Sequence, residues 1–122
     1  MREYLYKIEI NTSEELLQKV KDAIERYITI SKPIKYEIID KGVILIFNES
    51  IQDNIIKFTN RFAKITFNVS YSILDNNVVY QSGELSIKNG IIISIWEAME
   101  YSKSAIDWAY EIDKNYILNK NT

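Results

Sequence analysis

The chain has no histidine and no cysteine among its 122 residues. The first absence removes the side chain that titrates near neutral pH and most often serves as general base. The second removes the activated thiol and any disulfide, and the two together remove the commonest ligands of zinc, copper and iron. Glycine and proline are scarce, at 3 and 1, which leaves no glycine-rich phosphate loop and no low-complexity linker. A basic excess is also missing. Lys and Arg number 15 against 17 Asp and Glu, for a net charge of −2, and the guanidinium groups are Arg2, Arg26 and Arg61. Duplex DNA binding rests on phosphate neutralisation and leaves a basic footprint; none is visible. No run approaches the about 20 apolar residues that span a bilayer, and the first ten residues carry Arg2, Glu3, Lys7 and Glu9 rather than a signal-type apolar core. The expectation is a cytoplasmic protein with neither duplex DNA nor a membrane as partner.

What is present reads as an ordinary globular chain, 47% hydrophobic and 26% charged. Its length fits one domain over residues 1–122, large enough to bury a core without a staple. Residues 3–10 alternate around Tyr4, Tyr6, Ile8 and Ile10, the pattern of a half-buried strand. Thr12 with Glu15 forms a capping box, and Leu16, Leu17, Val20, Ile24, Tyr27 and Ile28 follow at helical spacing up to Pro33. Residues 34–40 and 43–48 read as two strands, apolar on both faces, joined at Asp40-Lys41-Gly42, where glycine supplies positive φ. A sheet covered on two sides, or an interface, follows from that pattern. Ser50 with Asp53 opens a second helix with Ile51, Ile55, Phe58 and Phe62 on its apolar side.

Phe67, Val69, Tyr71 and Ile73 alternate with Thr66, Asn68, Ser70 and Ser72, the cleanest strand signal in the chain. Asp75-Asn76-Asn77 turns it into a strand over 78–87, with a bulge expected at Gly83. Lys88-Asn89-Gly90 turns again into a strand over 91–95. A last helix is expected from about 97 to 117, with a central apolar line through Ala98, Ser102, Ala105, Ala109, Ile112 and Tyr116, flanked by Met99, Ile106, Tyr110 and Ile117 on one side and by Tyr101 and Trp108 on the other. The polar end at 119–122 is expected to be disordered. The fold class is therefore α+β: a ferredoxin-like split βαβ antiparallel sheet, extended by a hairpin (β-α-β-β-α-β-β-β-α), with a C-terminal helix. That helix or a second subunit is expected to cover the sheet's other face, and the apolar excess predicts a homo-oligomer.

The segment Asn60-Arg61-Phe62-Ala63-Lys64-Ile65-Thr66-Phe67-Asn68-Val69-Ser70-Tyr71, followed by a hairpin and Gly83-Glu84-Leu85, resembles YubB-type ferredoxin-like proteins of phages and plasmids. In size and element order the chain is also similar to small phage counter-defence proteins, including anti-Thoeris sponges that hold cyclic nucleotide signals. The YubB-type proteins have no assigned activity; the second resemblance implies a counter-defence binding protein.

No constellation for turnover stands out. Glu14 and Glu15 read as complements to a helix dipole rather than as a glycosidase pair. No loop has the acid density of a Mg²⁺ or Ca²⁺ site, so neither metal nor cofactor is expected. Glu97, Glu100, Asp107 and Glu111 read as a solvated helix face, interrupted by Lys103 and Lys114, against the alternative of a nucleic-acid mimic. Trp96, Tyr101 and Trp108, with Tyr110 and Tyr116, concentrate rings near the end of the chain, and such rings fill cores, anchor interfaces or stack on bases. The expected function is binding without catalysis: sequestration of a nucleotide-derived immune signal at a subunit interface. Trp96, Tyr101 and Trp108 supply rings there, Ser104 a hydroxyl and Arg61 a bidentate phosphate donor. The alternative is a protein-binding inhibitor of a host defence effector, of anti-CRISPR type.

Overall fold

A computed structural model describes residues 2–76 and 78–99. Its elements run β1 (Arg2–Ile10), α1 (Glu14–Ser31), β2 (Lys35–Ile39), β3 (Gly42–Phe47), α2 (Gln52–Thr59) with a 3-10 turn (Asn60–Phe62), β4 (Thr66–Asp75), β5 (Val78–Lys88) and β6 (Ile91–Met99). The strands form one six-stranded sheet in the order β2-β3-β1-β4-β5-β6, antiparallel at every junction. The class is α+β.

Strand alternation divides the side chains between two faces. The proximal face carries Tyr6, Ile8 and Ile10 of β1, Val43, Leu45 and Phe47 of β3, Phe67, Val69 and Tyr71 of β4, and Leu85 and Ile87 of β5. These pack in one cluster with Val20, Ile24 and Ile28 of α1 and Ile51 and Ile55 around α2. Phe58, Phe62 and Phe67 meet with ring centroids 5.6–6.4 Å apart, fastening the end of α2 to the sheet. The distal face carries a smaller apolar cluster, Leu5, Ile46 and Leu74 with Val79 against it, and a polar half formed by Lys7, Glu9, Asn68, Ser70, Glu84 and Ser86.

Helix α1 is capped one residue later than the sequence suggests. Ser13, in extended conformation, accepts from Leu16 N at 3.5 Å, and Glu14 and Glu15 occupy the first turn. Leu16, expected on the apolar side, is exposed. The helix ends where Lys32 turns left-handed (φ 51°), its N–H reaching Ile28 O just before Pro33. Ser50 Oγ accepts from Gln52 N, the first residue of α2, at 3.5 Å, while Ile51 stands at the N-cap position and Asp53 in the first turn makes no cap. Tyr6, buried in β1, adds to this start: it accepts from Ile51 N at 3.1 Å and shares a 3.3 Å hydrogen bond with Ser50 Oγ. Burial pushes the Tyr6 hydroxyl above its ordinary pKa, so it stays a neutral donor and acceptor at this helix start.

Both expectations about glycine conformation are corrected. Gly42 does not adopt positive φ; it is required because a Cβ there would strike the carbonyl oxygen of Ile8. Gly83 is not at a bulge, and the register shifts fall between Ile73 and Leu74 and between Ser86 and Ile87. The left-handed glycine is Gly90 (φ 73°), next to Asn89 (φ 51°), the pair of positive φ values that suits a tight hairpin turn. Gly90 N donates to Thr59 Oγ1 at 2.9 Å, which ties the β5–β6 turn to the end of α2.

The apolar pattern of residues 34–48 splits between its two strands. β3 is buried, whereas β2 is an exposed edge whose Tyr36 stays 53% accessible. The expected last helix does not begin at Glu97: β6 continues through Met99. The remainder of that helix and the polar end lie outside the described residues. Among the described residues, no helix is long and apolar enough to cross a membrane.

Candidate functional site

The register of the last three strands decides what Trp96 can do. Lys7 lies opposite Ser70, Ser70 opposite Glu84, and Glu84 opposite Trp96. These four form one cross-sheet row on the distal face. The next row is Glu9, Asn68, Ser86 and Ser94. Within the rows, Ser86 Oγ donates to Asn68 Oδ1 at 3.0 Å, and Lys7 Nζ sits 3.6 Å from Glu9 Oε1. Glu9, Asn68, Ser70, Glu84 and Ser86 line a shallow depression of about 220 Å³. Trp96, 42% exposed, lies opposite Glu84 on the neighbouring strand β6.

On the proximal side Tyr71 holds β6 in place. Its hydroxyl donates to Glu97 Oε1 at 2.8 Å and accepts from Gln81 Nε2 at 3.3 Å. The ring spans β5 at Gly83, where a Cβ would lie 2.8 Å from Tyr71 Cε1 and 2.5 Å from Trp96 O. Gly83 is thus the gap through which Tyr71 reaches Glu97. Burial, then the Glu97 carboxylate, pushes the Tyr71 hydroxyl well above the ordinary tyrosine value. A phenol in that state neither takes a proton nor attacks at neutral pH.

An apolar void of about 20 Å³ lies between the helices and the sheet, bordered by Ile24, Tyr27, Ile55, Phe58 and Phe67. It is about the size of one water and offers a ligand no room. Among the described residues, no group of three or more acidic side chains is placed to hold a metal ion.

Of the residues singled out in the sequence, Arg61 and Trp96 lie within the described residues, and the fold does not bring them together. Arg61 is in the 3-10 turn of the helix layer, its guanidinium 5.9 Å from the centre of the Phe58 ring. Trp96 projects from the distal face. Tyr101, Ser104 and Trp108 lie outside the described residues, as do Glu100, Asp107 and Glu111. No local pattern groups Lys7, Glu9, Asn68, Ser70, Glu84 and Ser86, because cross-strand register assembles them. The signal within reach was the polar side of β4, where Asn68 and Ser70 alternate with buried neighbours.

No protein-family model, no curated protein and no solved structure matches the chain.

Proposed function

We propose that the chain is a non-catalytic binding protein that holds a small nucleotide-type ligand on the distal face, and that its sheet is a ferredoxin-like split βαβ sheet extended by a hairpin. The strand order β2-β3-β1-β4, with both helices on one side and β5-β6 added at the end, supports the fold reading. One observation carries the functional reading: an exposed indole lies opposite Glu84, which lines a polar depression. A flat base stacks on Trp96, while its amino groups and ribose hydroxyls donate to Glu84, Ser70, Asn68 and Glu9. The two carboxylates turn phosphates away from the depression, toward Lys7 and Lys88 on the same face. Arg61 takes no part. On the resemblance to anti-Thoeris-type proteins, the biological form of such holding is counter-defence.

Calorimetric titration with a panel of cyclic and linear nucleotides tests the reading. One of them binds and is recovered chemically intact, and Trp96→Ala weakens it by roughly 1–3 kcal/mol, the worth of a base–aromatic stack, without loss of folding. Equal affinity in wild type and Trp96→Ala, binding of none of the panel, or conversion of the bound nucleotide contradicts it. The exposed isoleucines of β6 favour a second reading, an inhibitor that captures an effector protein, which predicts protein binding that nucleotides do not displace.

A further inference from the structure

We infer that residues 100–122 close over the apolar half of the distal face, an intramolecular cover laid on Leu5, Ile46, Ser72, Leu74 and Ser82. The inference does not depend on what the polar half holds. Two neighbouring cross-sheet rows differ in accessibility along their whole length. Ile44, Lys7, Ser70, Glu84 and Trp96 make one row, and every side chain in it keeps accessible surface. The next row, toward the start of β1, is Ile46, Leu5, Ser72 and Ser82, with Ala98 at the register position beside Ser82. Accessibility falls there to 2%, 1%, 0% and 0% for the first four. Beyond it, Glu3 and Leu74 pair at 5% and 0%. Both rows lie on the same strands, so lateral neighbours are alike and do not explain the step. A sheet face reaches such burial only when something stands over it.

Among the described residues, no element does so. Helices α1 and α2 pack on the proximal face, and the distal cluster is made of strand residues alone. The burial is complete within one copy of the chain, so a second copy is not needed. Apart from Met1 and Asn77, one residue each, the chain outside the described residues is 100–122. It leaves β6 at Met99, one residue past Ala98 and so beside the buried row. The chemistry also fits. Ser72 Oγ is buried and has no hydrogen-bond partner, which an apolar surface above it explains. Ser102, Ala105, Ala109, Ile112 and Tyr116 recur at helical spacing, and the first three are small enough to approach the small side chains of Ser72 and Ser82 closely. From Ser82 on β5 to Ile46 on β3 the buried row crosses three strand spacings, about 14 Å. A helix over 102–116 runs about 21 Å, which suffices.

A nitroxide on the whole chain tests the inference. The chain has no cysteine, so Lys7→Cys, one row from Leu5, gives a single labelling site outside the buried half. In amide spectra this label broadens the signals of 100–122, whereas the same label at Gln18→Cys, exposed on α1, leaves them sharp. Labelled chains mixed with isotope-enriched, unlabelled ones also leave them sharp, since the contact lies within one copy. A second measurement uses β5 itself: the thiol of Ser82→Cys reacts with a maleimide at least about tenfold more slowly than that of Ser86→Cys, on the same strand and face. The nitroxide decides the matter if Ser82→Cys does not fold. Signals of 100–122 untouched by the label at Lys7→Cys, broadened equally from Gln18→Cys, or broadened in the mixture overturn the inference, as does equal reaction of the two thiols.

Discussion

The two edges of the sheet are built from similar apolar residues and have opposite characters. β2 has five residues, Lys-Tyr-Glu-Ile-Ile; charged residues alternate with apolar ones, and Pro33 stands two residues before it. β6 has nine, with a single charge among them. β2 is fixed from inside by Gly42, which lets the β2–β3 hairpin lie against the carbonyl of Ile8. β6 is fixed by Gly83, Tyr71 and Glu97 and by the tie from Thr59 to its turn. Apolar content alone therefore does not mark an interaction edge. Length and the placement of charge separate the two.

The glycines give the largest expected effects. Gly42→Ala sets a Cβ into backbone that cannot retreat, and chemical denaturation should show a loss above about 4 kcal/mol, or no folded protein. Gly83→Ala meets a ring and one carbonyl, which can shift, and should cost about 1–3 kcal/mol. If Gly83→Ala proved costlier than Gly42→Ala, β6 rather than β2 would be the more tightly built edge. Tyr71→Phe removes the hydrogen bond to Glu97 and should cost about 1–2 kcal/mol, with faster exchange in β6 and none of that change in β2. It also alters the alkaline limb. Tyr71 has its pKa raised by folding, so its contribution is complete below the unfolded value of 10.0 and is lost as pH rises through the folded one. Melting curves above pH 10 should fall less steeply for Tyr71→Phe than for wild type, the residual slope coming from Tyr6 and Tyr27, both raised chiefly by burial. Thr59→Val cuts the tie to Gly90 and should cost about 1 kcal/mol, read as a small loss of melting temperature with β2 unaffected.

The sequence showed most of the fold because its signals are local. The alternation of β1 and β4, the spacing of α1 and the turn at Asn89-Gly90 each depend on neighbours within a few residues. Its errors concern partners far along the chain. Tyr6 serves α2 from 45 residues away. Gly83 reads as a bulge until Tyr71 is seen to cross it, and the face taken by Trp96 depends on a register shift at Ser86 and Ile87 that no local pattern displays. Residues 97–99 read as the first turn of a helix because Glu97, Ala98 and Met99 are good helix formers; pairing with β5 outweighs that preference. The distal rows were invisible for the same reason as the Tyr71 bridge: they come from four strands, one residue each.

Hydrogen exchange of the two edges, followed in wild type and in Tyr71→Phe, tests the contrast most directly. The amides of β6 should exchange faster in Tyr71→Phe, while those of β2 keep one rate in both. Unchanged exchange in β6, or an equal rise at both edges, would contradict the assignment of Tyr71 and Glu97 as the hold on β6.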